Sequence, residues 1–237
     1  MSAEKKHHKL TESLAVAVHQ MKNPIYVLKG YLEVILSEDI GELNLKQKEY
    51  LKDSLENVAR ATSIINDLLR IVEIEEKEYK VRNEPVDLVK VVAEVVENYT
   101  FLAKATNVDI YLNHKDDLFL ASTDPKKIYY VIENLLSNAI KYKGQGRGVV
   151  EINIEEDGEE ILFSIKDQGI GISAENKKNL FTKFFRTEKA IEIDPTGLGL
   201  GLYISSAIVQ LSGGKIWFKN NKEGGTTFYF TLPKHNE

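Results

Sequence analysis

Asn134 and Asn138 stand four residues apart, and Lys141 follows three later, in the stretch NLLSNAIKY at residues 134–142. On a helix that spacing puts them on one face. Amide oxygens, with water, suit Mg2+, and a lysine ammonium suits phosphate. Further along, Gly197, Gly199 and Gly201 run through GLGLGL just ahead of the apolar LYISSAIVQL. A glycine loop feeding a helix start offers unpaired N–H groups and a favourable dipole to an anion. Asp167 opens DQGIG after a strand-like run, where a buried carboxylate can accept a hydrogen bond from an exocyclic amine. Taken singly, each feature is common in tight turns and ordinary helices. Taken in this order, they describe a pocket for a nucleoside triphosphate. GLGLGL is not the dinucleotide fingerprint, which needs G-x-G-x-x-G directly after a strand.

Two kinds of element must carry these residues. Up to about residue 80, apolar residues recur at helical spacing. Leu14, Val18, Met21, Ile25, Leu28, Leu32 and Ile35 advance in steps of four and three. Leu51, Leu55, Val58, Thr62, Ile65, Leu69 and Val72 repeat that pattern, with Thr62 as its one polar member. Both are heptad seams. SEDIGELNLK between them holds Gly41 and reads as a turn. The expectation is an all-α helical hairpin, and because one hairpin cannot bury two seams well, a dimeric four-helix bundle. After VRNEPVDL the pattern changes. A helix is predicted over residues 86–103, then VDIYLNH and LFLAST as a strand pair. Asp124 reads as an N-cap with Pro125 at the first helical position. VVEINIEEDGEEILFSIKDQG reads as two strands joined by an Asp-Gly turn, and GGKIWFKNNKEGGTTFYFTL as another pair. Helices beside an antiparallel-rich sheet make an α+β two-layer sandwich.

Composition removes several alternatives. The 237 residues carry a net charge of −5 with a pI of about 5.7, which does not suit coating nucleic acid. There is no cysteine, so thiol catalysis, disulfides and cysteine metal sites are excluded, and a reducing, cytoplasmic setting is natural. No apolar run approaches the roughly 20 residues that span a bilayer, so no membrane contact is expected within this chain. No signal peptide is expected ahead of the first helix.

The order of NLLSNAIKY, DQGIG, FTKFFR at residues 181–186, GLGLGL and GGTTF at residues 224–228 resembles the ATP-binding domain of sensor histidine kinases, in the GHKL superfamily. The resemblance covers roughly residues 84–237 and implies a GHKL-type sandwich that binds ATP with Mg2+. It implies that Asn138, with Asn134 nearby, holds Mg2+. Lys141 would contact phosphates, and Tyr142 would lie against the adenine. Asp167 would take the adenine amino group, with Gly169 and Gly171 shaping that wall and Thr226 in the last cluster completing the pocket. Arg186 would reach the γ-phosphate. Residues 187–200 would form a mobile lid closed by Gly197, Gly199 and Gly201.

The same family carries a phospho-accepting histidine on the first helix of a dimeric hairpin, and HQMKNP at residues 19–24 resembles its H-box. Residues 1–80 would then be the dimerisation and phosphotransfer domain of a homodimer. His19 sits one position past the seam residue Val18, at the edge of the buried stripe. A neutral imidazole nitrogen is a competent nucleophile towards a γ-phosphate, helped by a neighbour that takes the proton from the other ring nitrogen. Asn23, one turn on, can orient a water against a phosphoryl group on a response regulator, and Pro24 invites a kink. The departure is Gln20. The family usually has a carboxylate there, and an amide accepts a hydrogen bond but takes up no proton. Two readings stay open: a slow kinase, or a form biased towards dephosphorylating its response regulator. The rivals are another GHKL ATPase, against which the hairpin argues, and a dimer that binds ATP only to control its shape.

Overall fold

The computed structural model describes residues 3–115 and 118–235, with side chains from residue 16 onward in the first helix. Two compact units divide the chain, Met1–Tyr79 and Lys80–Glu237.

The first unit is a hairpin of α1 (Ala3–Leu36) and α2 (Leu45–Glu75). Leu14, His7 and His8 lie outside the residues whose side chains are described. Pro24 sits inside α1. The turn between the helices is tightly specified. Glu38 takes a left-handed φ of 62°, accepts from the Leu43 amide at 2.8 Å and pairs with Lys48 at 2.6 Å. Asn44 then caps α2, its Oδ1 accepting from the Gln47 amide at 2.9 Å while Gln47 Oε1 accepts from the Asn44 amide at 2.9 Å. This reciprocal box satisfies two amides that a helix start otherwise leaves bare.

Only half of each heptad faces inward on α1. Val18 is 2% exposed and packs with Ile65 and Leu69, against Ile25 and Leu68. Met21 and Leu28, the alternate seam positions, are 55% and 46% exposed. On α2, Val58, Ile65, Leu69 and Val72 are buried. Thr62 tolerates its place in the seam because its hydroxyl donates to the Val58 carbonyl at 2.8 Å. Tyr26, Tyr31 and Tyr50 are exposed on this hairpin.

The second unit is a two-layer sandwich. Its sheet holds β2 (Val108–His114), β4 (Gly148–Asp157), β5 (Glu160–Lys166), β6 (Ile216–Asn220) and β7 (Thr226–Pro233) in the order β2-β4-β5-β7-β6. α3 (Leu88–Ala105), α4 (Pro125–Lys141) and α6 (Gly201–Leu211) form the helical layer. Buried and half-buried residues alternate along β4 and β5. That period of two puts Ile152, Ile154, Ile161, Phe163 and Ile165 on the covered face. Phe163 and Phe230 stack with ring centres 4.5 Å apart. From the helices, Val92, Ile128, Ile132, Leu136, Ile204 and Ile208 close this core.

Two expectations are corrected here. VDIYLNH and LFLAST do not pair with each other: β2 lies parallel to β4, while β3 (Leu120–Thr123) pairs antiparallel with β1 (Glu84–Asp87) in a separate two-stranded sheet. Alternation states that one face is buried but not which strand lies alongside. Phe119, Ala121 and Thr123 are all buried, and Thr123 shares a buried hydrogen bond of 3.0 Å with Ser212 beyond α6. The helix predicted from residue 86 begins at Leu88, because Val86 belongs to β1. Asp87 is its N-cap, accepting from the Val89 amide at 3.1 Å.

Candidate functional site

The candidate purine wall lies at the end of β5. Asp167 follows its last residue and is buried. Its Oδ1 accepts from the Gly169 amide at 2.7 Å and the Thr226 amide at 3.1 Å. Its own amide donates to the Thr226 carbonyl at 2.9 Å. Burial pushes the Asp167 carboxyl above its ordinary range, against the pull of those two amides. Both described bonds fall on Oδ1, so Oδ2 is the acceptor left for a ligand amine.

Missing side chains make the wall possible. A Cβ at Gly169 would stand 2.1 Å from the Tyr142 carbonyl oxygen, and one at Gly225 would stand 2.2 Å from the Asp167 carbonyl oxygen. Gly225 also holds a φ of 82°. Gly171 takes a φ of 66°. Tyr142 braces this loop through its main chain, its carbonyl accepting from the Ile170 amide at 3.1 Å.

The asparagine pair sits on α4, which Asp124 caps by accepting from the Lys126 and Lys127 amides at 3.1 and 3.2 Å. Asn134 Nδ2 donates to the buried Ser205 hydroxyl of α6 at 2.9 Å, and Asn138 Nδ2 reaches Asn134 Oδ1 at 3.4 Å. Gly201 begins α6 against this pair: a Cβ there would lie 2.2 Å from Asn134 Oδ1. Both polar atoms of the Asn134 carboxamide are thus engaged, Nδ2 by Ser205 and Oδ1 by Asn138, while Asn138 Oδ1 carries no described hydrogen bond. An amide oxygen so placed, completed by water, fits the hard-oxygen ligation that Mg2+ demands.

Residues 187–200 contain the short helix α5 (Glu188–Ile193), capped by the Thr187 hydroxyl. The two candidate phosphate cations both contact this segment. Lys141 Nζ is 2.9 Å from Asp194 Oδ2. The Arg186 guanidinium donates to the carbonyls of Gly197 at 2.7 Å and Ala190 at 2.5 Å, and also to that of Asp194. Gly199, with a φ of 70°, backs onto the turn that carries Arg186; a Cβ there would come within 2.5 Å of the Phe185 carbonyl oxygen. Phe184 in that turn adopts a left-handed φ of 61° while 60% exposed. A bulky residue held there costs on the order of 1–2 kcal/mol. Its neighbour Phe181 anchors the turn on Phe218, ring centres 6.3 Å apart.

His19, Gln20 and Asn23 belong to the other unit. All three are exposed on α1, beside the inward Val18.

Sequence reasoning missed four residues that set this geometry. Asn220 clamps the far end of the DQGIG loop: its Oδ1 accepts from the Ile172 amide at 3.2 Å and its Nδ2 donates to the Ile172 carbonyl at 2.5 Å. Asn221 clamps the near end, donating to the Asp167 carbonyl at 2.9 Å and held in turn by the Thr227 hydroxyl at 2.6 Å. Ser205 and Asp194 are the others. Consecutive asparagines before a Gly-Gly turn signal a turn and nothing more. Ser205 lies in an apolar run that offers no chemical hint.

Comparison with known proteins covers both units. Residues 9–77 match the His Kinase A (phospho-acceptor) domain. Residues 123–236 match the histidine kinase-, DNA gyrase B-, and HSP90-like ATPase family. The sensor histidine kinase WalK of Bacillus subtilis is 31% identical over 235 residues, 99% of this chain and 38% of WalK. The chain thus spans little more than a third of that relative's length. Among solved structures, the Acinetobacter baumannii histidine kinase AdeS superposes with a TM-score of 0.64 at 25% identity, covering 92% of this chain and 98% of that one. Full-length ShkA in complex with AMPPNP shares the fold, with a TM-score of 0.77 at 23% identity over 95% of this chain and 46% of its own.

Proposed function

The chain belongs to the sensor histidine kinases, and from that membership we propose that it moves the γ-phosphoryl group of ATP onto His19 and then onto an aspartate of a response regulator. In this reading residues 1–80 form the dimerisation and phosphotransfer domain of a homodimer, and residues 84–237 the ATP-binding domain. The observation that carries the nucleotide assignment is the buried Asp167, fixed by two amides on one oxygen and presenting the other.

Asp167 Oδ2 accepts from the adenine amino group, between Gly169 and Thr226. Lys141 and Arg186 meet the phosphates, and Tyr142 lies along the base. Asn138, braced through Asn134 by Ser205, would hold Mg2+. That ion, when bound, neutralises charge on the phosphate oxygens. An imidazole nitrogen of His19 attacks the γ-phosphorus; the N–P bond forms as the bond to the β–γ bridging oxygen breaks, and ADP leaves with that electron pair. The proton on the other ring nitrogen passes to water, since Gln20 can accept a hydrogen bond but not the proton. A response-regulator carboxylate then takes the phosphoryl group from nitrogen to oxygen. The exposed Asn23 supports a second activity, orienting water for hydrolysis of that acyl phosphate.

The test is incubation with γ-labelled Mg-ATP. Acid-labile, base-stable label is expected on the parent chain and absent from His19→Ala. Label that persists in His19→Ala would overturn the assignment of His19.

A further inference from the structure

The two side chains that the proposed reaction assigns to phosphate are both engaged by one residue. Asp194 Oδ2 pairs with Lys141 Nζ at 2.9 Å, and the Asp194 carbonyl accepts from Arg186. The other carboxylate oxygen is also committed. Asp194 Oδ1 accepts from the Thr196 hydroxyl at 2.7 Å and from the Thr196 amide at 3.1 Å. Asp194 is itself fixed at the end of α5, its amide donating to the Ala190 carbonyl at 3.1 Å. This is a built contact, not a loose surface pair. Its aspartate is four-fifths buried, so water screens it poorly on that side.

We propose that Asp194 is an internal stand-in for phosphate, whose carboxylate occupies Lys141 until the nucleotide's phosphate chain displaces it. This rests on the reading of the second unit as an ATP site. The two cations are held in different ways, and the difference matters. Arg186 is held through neutral carbonyls, which orient it without a direct ion pair. Lys141 is neutralised by a full negative charge. A polyphosphate arriving at Lys141 meets that carboxylate at close range, and like charges there repel. Either Asp194 swings away, or the phosphate binds weakly. When it swings, the Thr196 bonds and the end of α5 go with it, so phosphate binding and release of residues 187–200 become one event. Asp194 thereby lowers nucleotide affinity and ties the position of the lid to the presence of phosphate.

The prediction runs against the usual direction of site mutations. Asp194→Asn keeps size and one oxygen to accept from Thr196 but removes the competing charge. Binding of ATP with Mg2+ to the full chain is expected to tighten about two- to fivefold, the worth of a partly exposed ion pair. Adenosine, which has no phosphate to compete, is expected to bind the two proteins equally. Thr196→Val, which keeps the charge but removes the hydroxyl that aims it, is expected to move ATP affinity the same way by less. Unchanged or weaker ATP binding in both variants, each folded by circular dichroism, overturns the proposal and leaves the ATP assignment standing. A parent chain that binds neither ATP nor adenosine sinks the ATP assignment, and the stand-in with it.

Discussion

His19 and Asp167 are each named by a short motif, yet the protein holds them in opposite ways. Asp167 is buried, its oxygen pinned by two amides, its backbone pinned by Asn221, and its loop admitted only because Gly169 and Gly225 lack side chains. His19 stands exposed on a helix face. One region finishes its chemistry inside its own fold. The other, on the proposed reading, presents a reactive atom and relies on what comes to it. A pocket that must recognise a diffusing ligand needs preorganisation, whereas a group that must receive and pass on a phosphoryl needs access.

Deleting each side chain sharpens this contrast most. Asp167→Ala leaves the Gly169 and Thr226 amides without their described side-chain acceptor and removes the proposed purine acceptor. At about 3 kcal/mol, nucleotide affinity is expected to fall on the order of 10²-fold by fluorescent-nucleotide titration. His19→Ala is expected to leave that affinity unchanged. Equal losses in the two variants would break the comparison.

On the hairpin side, Gln20→Glu restores a proton acceptor beside His19. Labelling of His19 is expected to quicken by up to about 10²-fold, the lower range for a positioned base. No change would mean that Gln20 is not the limit on the rate, and that positioning dominates as it does in phosphoryl transfer generally.

Asn220→Ala and Asn221→Ala loosen the pocket without touching the ligand. Each loses a single anchor of the DQGIG loop, so KM for ATP is expected to rise about fivefold at constant kcat. A fall in kcat would place these residues nearer the chemistry than their contacts put them.

The smallest effect is in pH. Asp167 is raised by burial, and on the proposed reading its carboxylate form accepts from the nucleotide. Nucleotide affinity is therefore expected to decline as pH falls through that raised value, before the ordinary aspartate value of 3.8 is reached. Its charge costs stability at neutral pH, a cost relieved on acidification. Asp194 goes the other way. Although burial pushes it up, the Thr196 hydroxyl and the Lys141 ammonium hold it well below its ordinary range. Its contribution is present above that range and lost as pH falls through the lowered value. Titrating affinity and melting temperature on one sample separates the two carboxylates.

How much of this was legible depends on whether a residue acts through its side-chain type or through its neighbours. Asp167, Asn138 and the glycines stood out because few residue types can do their work: a Cβ at Gly225 collides with a backbone carbonyl. The Asp-Gly turn between β4 and β5 was readable for the same reason, since Gly158 needs a φ of 62°. The pairing of β2 with β4 was not, because it is decided by packing distant in sequence. Asn220, Asn221, Ser205 and Asp194 were invisible because they are common polar residues whose meaning lies in a partner roughly 50 or more residues away. The heptad was read correctly as a seam, yet sequence did not separate the turns that face inward from those that face out.

Those outward positions carry a last consequence. Met21 and Leu28 leave apolar surface exposed on the hairpin, and in the proposed homodimer a second copy, recruited by mass action, would cover it. The sandwich closes its own core and is indifferent to dilution. On that reading, lowering the protein concentration is expected to lower the melting temperature of the hairpin alone, so that the proposed phospho-accepting half of the chain, unlike the nucleotide-binding half, would measure how much of the protein is present.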